Sequence, residues 1–238
     1  MFLITMAGLS SRFFKAGYNL PKYMLKLNGE TVFSIATKSF ENYFNTDLFV
    51  FAIRDIYNTK EFINNEIQKL GIKNFKIICL DNETKGQAET AYIALKAIDT
   101  DEKVTIFNID TFRYGYKKPD FYNTCDGYLE VFQAPGEHWS FVEPGNNNKV
   151  IRTTEKDRIS DLCSDGLYHF KNKQLFIDLF EDALHNNETV KGEYYIAPLY
   201  NKLIKEGLEI CYDLIEVNQI DFCGTPDEYQ HLLIKQGE

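Results

Sequence analysis

Apolar and polar positions follow two rhythms along this chain. Residues 1–5 form a short apolar run closed by Ala7-Gly8, the mark of a buried parallel strand, and Val32, Phe33, Ala36, Phe40 and Tyr43 then recur at helical spacing. A second run at 48–53 precedes Asn58 and, three residues on, Glu61, which predicts a capping box opening a helix with face Phe62, Ile63, Ile67 and Leu70. Gly71 ends that helix, and strand 75–80, helix 88–98 and strand 104–109 follow. This alternation predicts an α/β fold, Rossmann-like, with a mostly parallel mixed sheet flanked by helices.

Between 125 and 171 the rhythm changes. Strand-like stretches at 128–132, 139–142, 150–154 and 166–170, with a polar "PGNNNK" turn, predict an antiparallel excursion laid over the mouth of the parallel sheet. Helices are predicted at 173–184 and 196–204 and a strand at 210–215. In "TPDEYQHLLIKQ", Thr225, Pro226 and Glu228 form an N-terminal helix signature. With no repeat or linker, residues 1–238 read as a single domain made of halves 1–124 and 125–238.

Composition narrows the function. Of the 238 residues 44% are hydrophobic, enough for a large core, and the formal charge of -9 with no basic block argues against nucleic acid. No window approaches a membrane span. Five widely spaced cysteines without a CxxC pair indicate neither a disulfide framework nor a zinc ribbon, and a cytoplasmic location is expected.

Charged residues at strand ends are the candidate chemistry. The loop leaving the first strand offers small residues whose backbone N–H groups can approach phosphate, with Arg12 and Lys22 as cations; an ordinary connecting loop has the same composition. Asp110 in "IFNID" and Asp221 in "QIDFCGTP" sit where a carboxylate holds Mg²⁺ or caps a turn. Lys156 and Glu193 are charges within patterned segments, and the four histidines show no metal spacing.

In order, these pieces resemble the nucleotidyltransferase family that makes nucleoside-diphosphate sugars and related activated alcohols. "AGLSSR" and "PK" match its A-G-x-G-[ST]-R and P-K, with Ser10 where a glycine is usual. "TKGQAETA" resembles its base-lining segment, "FNID" its metal motif with Ile109 replacing glycine, and "TEKDRISDLCSDGLYHF" its E-K…G-i-Y run. "GEYYIAPLYNKLI" resembles the acceptor segment, and "IDFCGTP" the carrier of the second metal aspartate.

The resemblance implies a GT-A-like nucleotidyltransferase fold and transfer of a nucleoside monophosphate to a phosphorylated acceptor, releasing pyrophosphate. It implies nucleotide contacts from Ala7, Gly8, Leu9, Ser10, Ser11, Arg12, Lys22, Asp81, Lys85, Gly86, Gln87 and Asp110. Acceptor contacts fall to Trp139, Lys156, Gly166, Glu193 and Tyr194, and Mg²⁺ to Asp110 and Asp221. Arg12, Lys22, Asp110 and Lys156 carry the catalysis.

"EHWSFVEP", "GEYYIAPLY" and the short length resemble a capsule-associated branch that includes cytidylyltransferases for phosphocholine-like or phosphoglutamine-like acceptors, which favours CTP. A sugar 1-phosphate acceptor with UTP or dTTP remains open, as does a GT-A glycosyltransferase, although "IDTF" lacks the second aspartate of a D-x-D. Expected partners are the two small substrates, without nucleic acid or membrane; a homodimer is left open.

Overall fold

The computed structural model describes residues 1–237. The chain begins β1 (Phe2–Thr5), α1 (Ser11–Lys15), β2 (Lys26–Leu27), β3 (Glu30–Thr31), α2 (Val32–Lys38), β4 (Phe49–Ile53), α3 (Thr59–Leu70), β5 (Phe75–Cys79) and α4 (Gln87–Lys96). It continues through β6 (Val104–Asn108), β7 (Thr111–Arg113), β8 (Gly127–Gln133), β9 (Ser140–Pro144), β10 (Val150–Glu155) and β11 (Leu162–Phe170). It ends with α5 (Lys173–His185), α6 (Tyr200–Lys205), β12 (Ile210–Leu214), β13 (Ile220–Phe222) and α7 (Pro226–Gln236). The α/β class is as expected, and none of the described helices is long and apolar enough to cross a membrane.

The elements form two compact units that interleave in sequence. The first comprises Met1–Leu3, Thr84–Phe107 and Lys117–Val217, and the second Ile4–Glu83, Asn108–Tyr116 and Asn218–Glu238.

In the first unit the strand order is β10-β9-β11-β6, continuing to the opening residues of β1, and β8 joins β11 and β12. The antiparallel strands do not overlie a parallel sheet as expected. Instead β11 pairs directly with β6, Tyr168 opposite Ile106, and so extends the same sheet. All nine residues of β11 are buried, which requires cover on both faces. A disulfide joins Cys125 to Cys211, 86 positions apart, where spacing had indicated none. The pair becomes adjacent because β12 returns parallel to β8, with Cys211 opposite Tyr128.

In the second unit β4 lies parallel to β5, and all five residues of β4 are buried. Two features differ from the sequence reading. The expected helix over 32–43 ends at Lys38 and continues as a separate 3-10 turn, Glu41–Tyr43. The expected capping box at Asn58 does not form, because Asn58 adopts a left-handed φ of 54° and its side chain makes no cap bond. At α7 the same pattern succeeds: Thr225 is extended at φ -128° and its side chain accepts from Glu228 N–H, while the Glu228 carboxylate returns to the Thr225 N–H. Such a cap contributes about 1 kcal/mol and fixes where the chain turns into α7.

Candidate functional site

The candidate residues fall into one set in each unit. In the second unit, the segment after β1 is not simply a loop. Ala7 is buried, Gly8 and Leu9 lead outward, and Ser10 takes a left-handed φ of 53° before α1 begins at Ser11. Arg12 is exposed on α1. Ser10 Oγ accepts a hydrogen bond of 3.1 Å from the Lys22 N–H, spanning 12 residues. Pro21, at φ -62°, presets the approach to the 3-10 turn Lys22–Met24.

Lys22 Nζ donates to Asp110 Oδ2 at 2.5 Å, with the two side chains 18% and 28% exposed. Burial raises the Asp110 pKa, but the Lys22 charge and hydrogen bond, helped by Arg12, outweigh it and hold the carboxyl below its ordinary range. Asp110 is fixed at its backbone too, since its carbonyl accepts from the Cys223 N–H at 2.8 Å. A side chain at Gly224 would begin 3.0 Å from Asp110 Oδ2, a tight contact that glycine avoids on that face of the carboxylate. Beside them the Cys223 thiol is pushed up to about 12 by burial.

Asp221 is placed differently. On β13, opposite Phe112 of β7, its carboxylate accepts from Lys235 Nζ at 2.9 Å and Tyr114 Oη at 3.0 Å. Asp110 and Asp221 therefore have different partners. Asp81 is exposed after β5.

The first unit holds the remaining residues. Gly86, at φ +115°, lies so close to Tyr194 that a Cβ would stand 2.5 Å from the Tyr194 carbonyl oxygen. The Tyr194 N–H donates to the Lys85 carbonyl at 2.6 Å and its own carbonyl accepts from Ala88 N–H at 3.2 Å, so Lys85, Gly86 and Gln87 are tied to the 193–195 segment. The Tyr194 side chain is buried against Phe180, whereas Tyr195 is half-buried and faces Lys156.

Lys156 has a left-handed φ of 55°, and its N–H donates to the Trp139 carbonyl at 2.9 Å. Its Nζ donates to Tyr195 Oη, lies 4.4 Å from that ring's centroid and is 3.7 Å from Glu155 Oε1. Tyr195 Oη donates in turn to Glu193 Oε2 at 2.7 Å. Glu155 is buried, accepts from Ser140 Oγ and has its pKa raised by desolvation despite Ser140 and Lys156. Tyr195 is likewise pushed up by burial and by Glu193. Gly166 is buried in β11, and Trp139 Nε1 donates to the Pro135 carbonyl at 3.1 Å.

Sequence reasoning did not single out Glu155 or Ser140. The signal for Glu155 was its position beside Lys156 at the end of β10, where strand alternation turns one of the two inward.

The α/β architecture is that of the nucleotidyltransferases, and the chain belongs to the nucleotidyltransferase family. It is 47% identical to a nucleoside-diphosphate-sugar pyrophosphorylase from Vibrio cholerae RC9, over 98% of this chain and 100% of that one, with a TM-score of 0.95. The same fold occurs at 14% identity in the inositol-1-phosphate CTP transferase from T. maritima, over 100% and 96% of the two chains with a TM-score of 0.74. It occurs at 15% identity in the CTP:phosphocholine cytidylyltransferase from Streptococcus pneumoniae, over 98% and 97% with a TM-score of 0.73. No protein-family model matches the chain, and no curated protein matches it significantly. The family assignment makes the protein a nucleotidyltransferase and sets the glycosyltransferase alternative aside.

Proposed function

We propose that the protein transfers a nucleoside monophosphate from CTP to the phosphate of a small acceptor, releasing pyrophosphate, in the supply of capsule or surface polysaccharide. The observation that carries the reading is the preformed contact of Lys22 with Asp110 at the segment leaving β1, with Arg12 contributing a second cation. An acceptor phosphate is already nucleophilic at neutral pH. The protein's task is therefore to align two anions and neutralise their charge.

Arg12 and Lys22 bind the distal phosphates and stabilise the leaving pyrophosphate. The backbone of residues 7–11 takes the nucleotide's near end, and residues 81–87 offer amide groups to a pyrimidine edge. Asp110 suits Mg²⁺, being an anionic oxygen donor with no side chain from Gly224 against one face. Asp221, held by Lys235 and Tyr114, would be the second carboxylate for that metal. Bound there, the metal supplies charge stabilisation and a template for the phosphates.

Lys156 positions the acceptor phosphate. Around it, two carboxylates, Glu155 and Glu193, outnumber the one ammonium, and Tyr195 presents a ring face. That balance favours an acceptor that carries a cationic nitrogen besides its phosphate. The likeness to the Vibrio cholerae protein favours a second reading, a sugar 1-phosphate acceptor giving a nucleotide sugar.

One assay separates them: incubation with CTP, UTP, dTTP, GTP or ATP, Mg²⁺ and a panel of acceptors, with pyrophosphate measured. The proposal expects release with CTP and an amino-alcohol or amino-acid phosphate only when both are present. Release with hexose 1-phosphates alone establishes the sugar reading, and turnover confined to GTP or ATP removes the pyrimidine assignment.

A further inference from the structure

The Lys22 ion pair has a consequence for the order in which ligands enter. The lysine that is to hold the distal phosphates already occupies the carboxylate that is to hold the metal. Both partners are fixed at their backbones, Lys22 by the Ser10 hydroxyl and Asp110 by the Cys223 N–H. The contact is therefore built into the fold, unlike an exposed pair formed by two wandering side chains.

We propose that Lys22 is an internal counter-ion for Asp110 that keeps the metal out until a nucleotide arrives, with Ser10 as the positioning residue that holds Lys22 there. This rests on the metal assignment made under the proposed function. A divalent cation approaching alone meets a carboxylate whose charge an ammonium, only 18% exposed, already neutralises, and the two positive charges repel. A triphosphate gives Lys22 another anion, and the ammonium leaves the carboxylate as the phosphates enter. Asp110 is then free to take the metal.

Ser10 explains how this is set. It stands where the family motif has glycine, and it tolerates a left-handed φ of 53° while its Oγ takes the Lys22 N–H, a bond glycine could not make. The departure from the motif thus adds a tether between the first loop and the lysine.

The test is Mn²⁺ binding by the purified protein, followed by electron paramagnetic resonance with and without a non-hydrolysable CTP analogue, and no turnover is needed. Wild type is expected to bind Mn²⁺ weakly alone and more tightly with the analogue. Lys22→Met should bind Mn²⁺ alone about tenfold tighter or more, as expected when a competing charge is removed. Lys22→Arg should keep the block, and Ser10→Ala should give a smaller gain at an unchanged melting temperature. If Lys22→Met binds Mn²⁺ no more tightly than wild type while Asp110→Asn abolishes binding, the counter-ion proposal is overturned and the metal assignment stands. If Asp110→Asn leaves binding intact, the metal assignment itself fails.

Discussion

The two lysines singled out as candidates, one in each unit, are held in opposite ways. Lys22, in the second unit, follows an extended proline, is tethered by Ser10 and faces one carboxylate. Lys156, in the first, has a left-handed backbone and sits against a tyrosine ring with Glu155 and Glu193 nearby. A lysine with a single acidic partner can be handed to an incoming anion by exchanging one ion pair. A lysine outnumbered by carboxylates leaves a site that remains negative after it has met a phosphate, and so selects for positive charge elsewhere on that ligand.

The largest expected effect tests the partner of Lys22. Asp110→Asn, which removes charge with little volume, should lower pyrophosphate release by about 100-fold or more while circular dichroism stays unchanged. Near-normal turnover at limiting Mg²⁺ would detach Asp110 from the metal.

Next, the two lysines should separate by ligand. Lys22→Ala should weaken binding of the triphosphate by about tenfold or more and of the monophosphate much less, since a charge-assisted hydrogen bond is at stake. Lys156→Ala should raise the acceptor KM and leave triphosphate affinity alone. Calorimetric titrations with CTP and CMP check the first, steady-state kinetics the second, and equal losses for both nucleotides would place Lys22 away from the distal phosphates.

Gly86 carries a stability prediction. A methyl group there meets backbone at 2.5 Å, so Gly86→Ala should destabilise by about 2 kcal/mol or more, read as a lower melting temperature. An unchanged melting temperature would mean that the 85–87 and 193–195 segments can separate without loss.

The smallest effect concerns the acids around Lys156. Glu155 has a raised pKa in the folded protein, so its contribution to stability is full below the ordinary glutamate range and is lost as pH rises through the raised value. Glu155→Gln should therefore stabilise modestly near neutral pH and give no gain in acid. Melting curves across pH show this, and a gain confined to low pH would reverse the sign.

How much of this was legible depended on segment length and on backbone angle. β4, β5, β6 and α5 carry enough apolar repeats for the period to be read directly. β7 and β13 have three residues each, too few to show a period, yet their pairing is what sets Asp221 opposite Phe112. Asn58 and Thr225 present the same capping pattern in sequence, and only the left-handed turn at Asn58 separates failure from success. Arg12, Lys22, Asp110 and Lys156 could be singled out as candidates because they lie in motifs. Their partners could not: the Ser10 tether spans 12 positions and the Lys22–Asp110 contact 88. The buried Tyr194 and the half-buried Tyr195 are adjacent in sequence, and packing alone decides which faces Lys156.

The Cys125–Cys211 bond turns part of the chain into a closed covalent loop. Trp139, Lys156, Gly166 and Glu193 all lie on it. A single protease cut in the exposed stretch after α5, around Asn187, would open that loop without separating any piece from the molecule. In a denaturing gel the nicked chain would keep its full mass until a thiol was added and only then fall into two fragments. A gel without reductant would therefore report a cut molecule as intact.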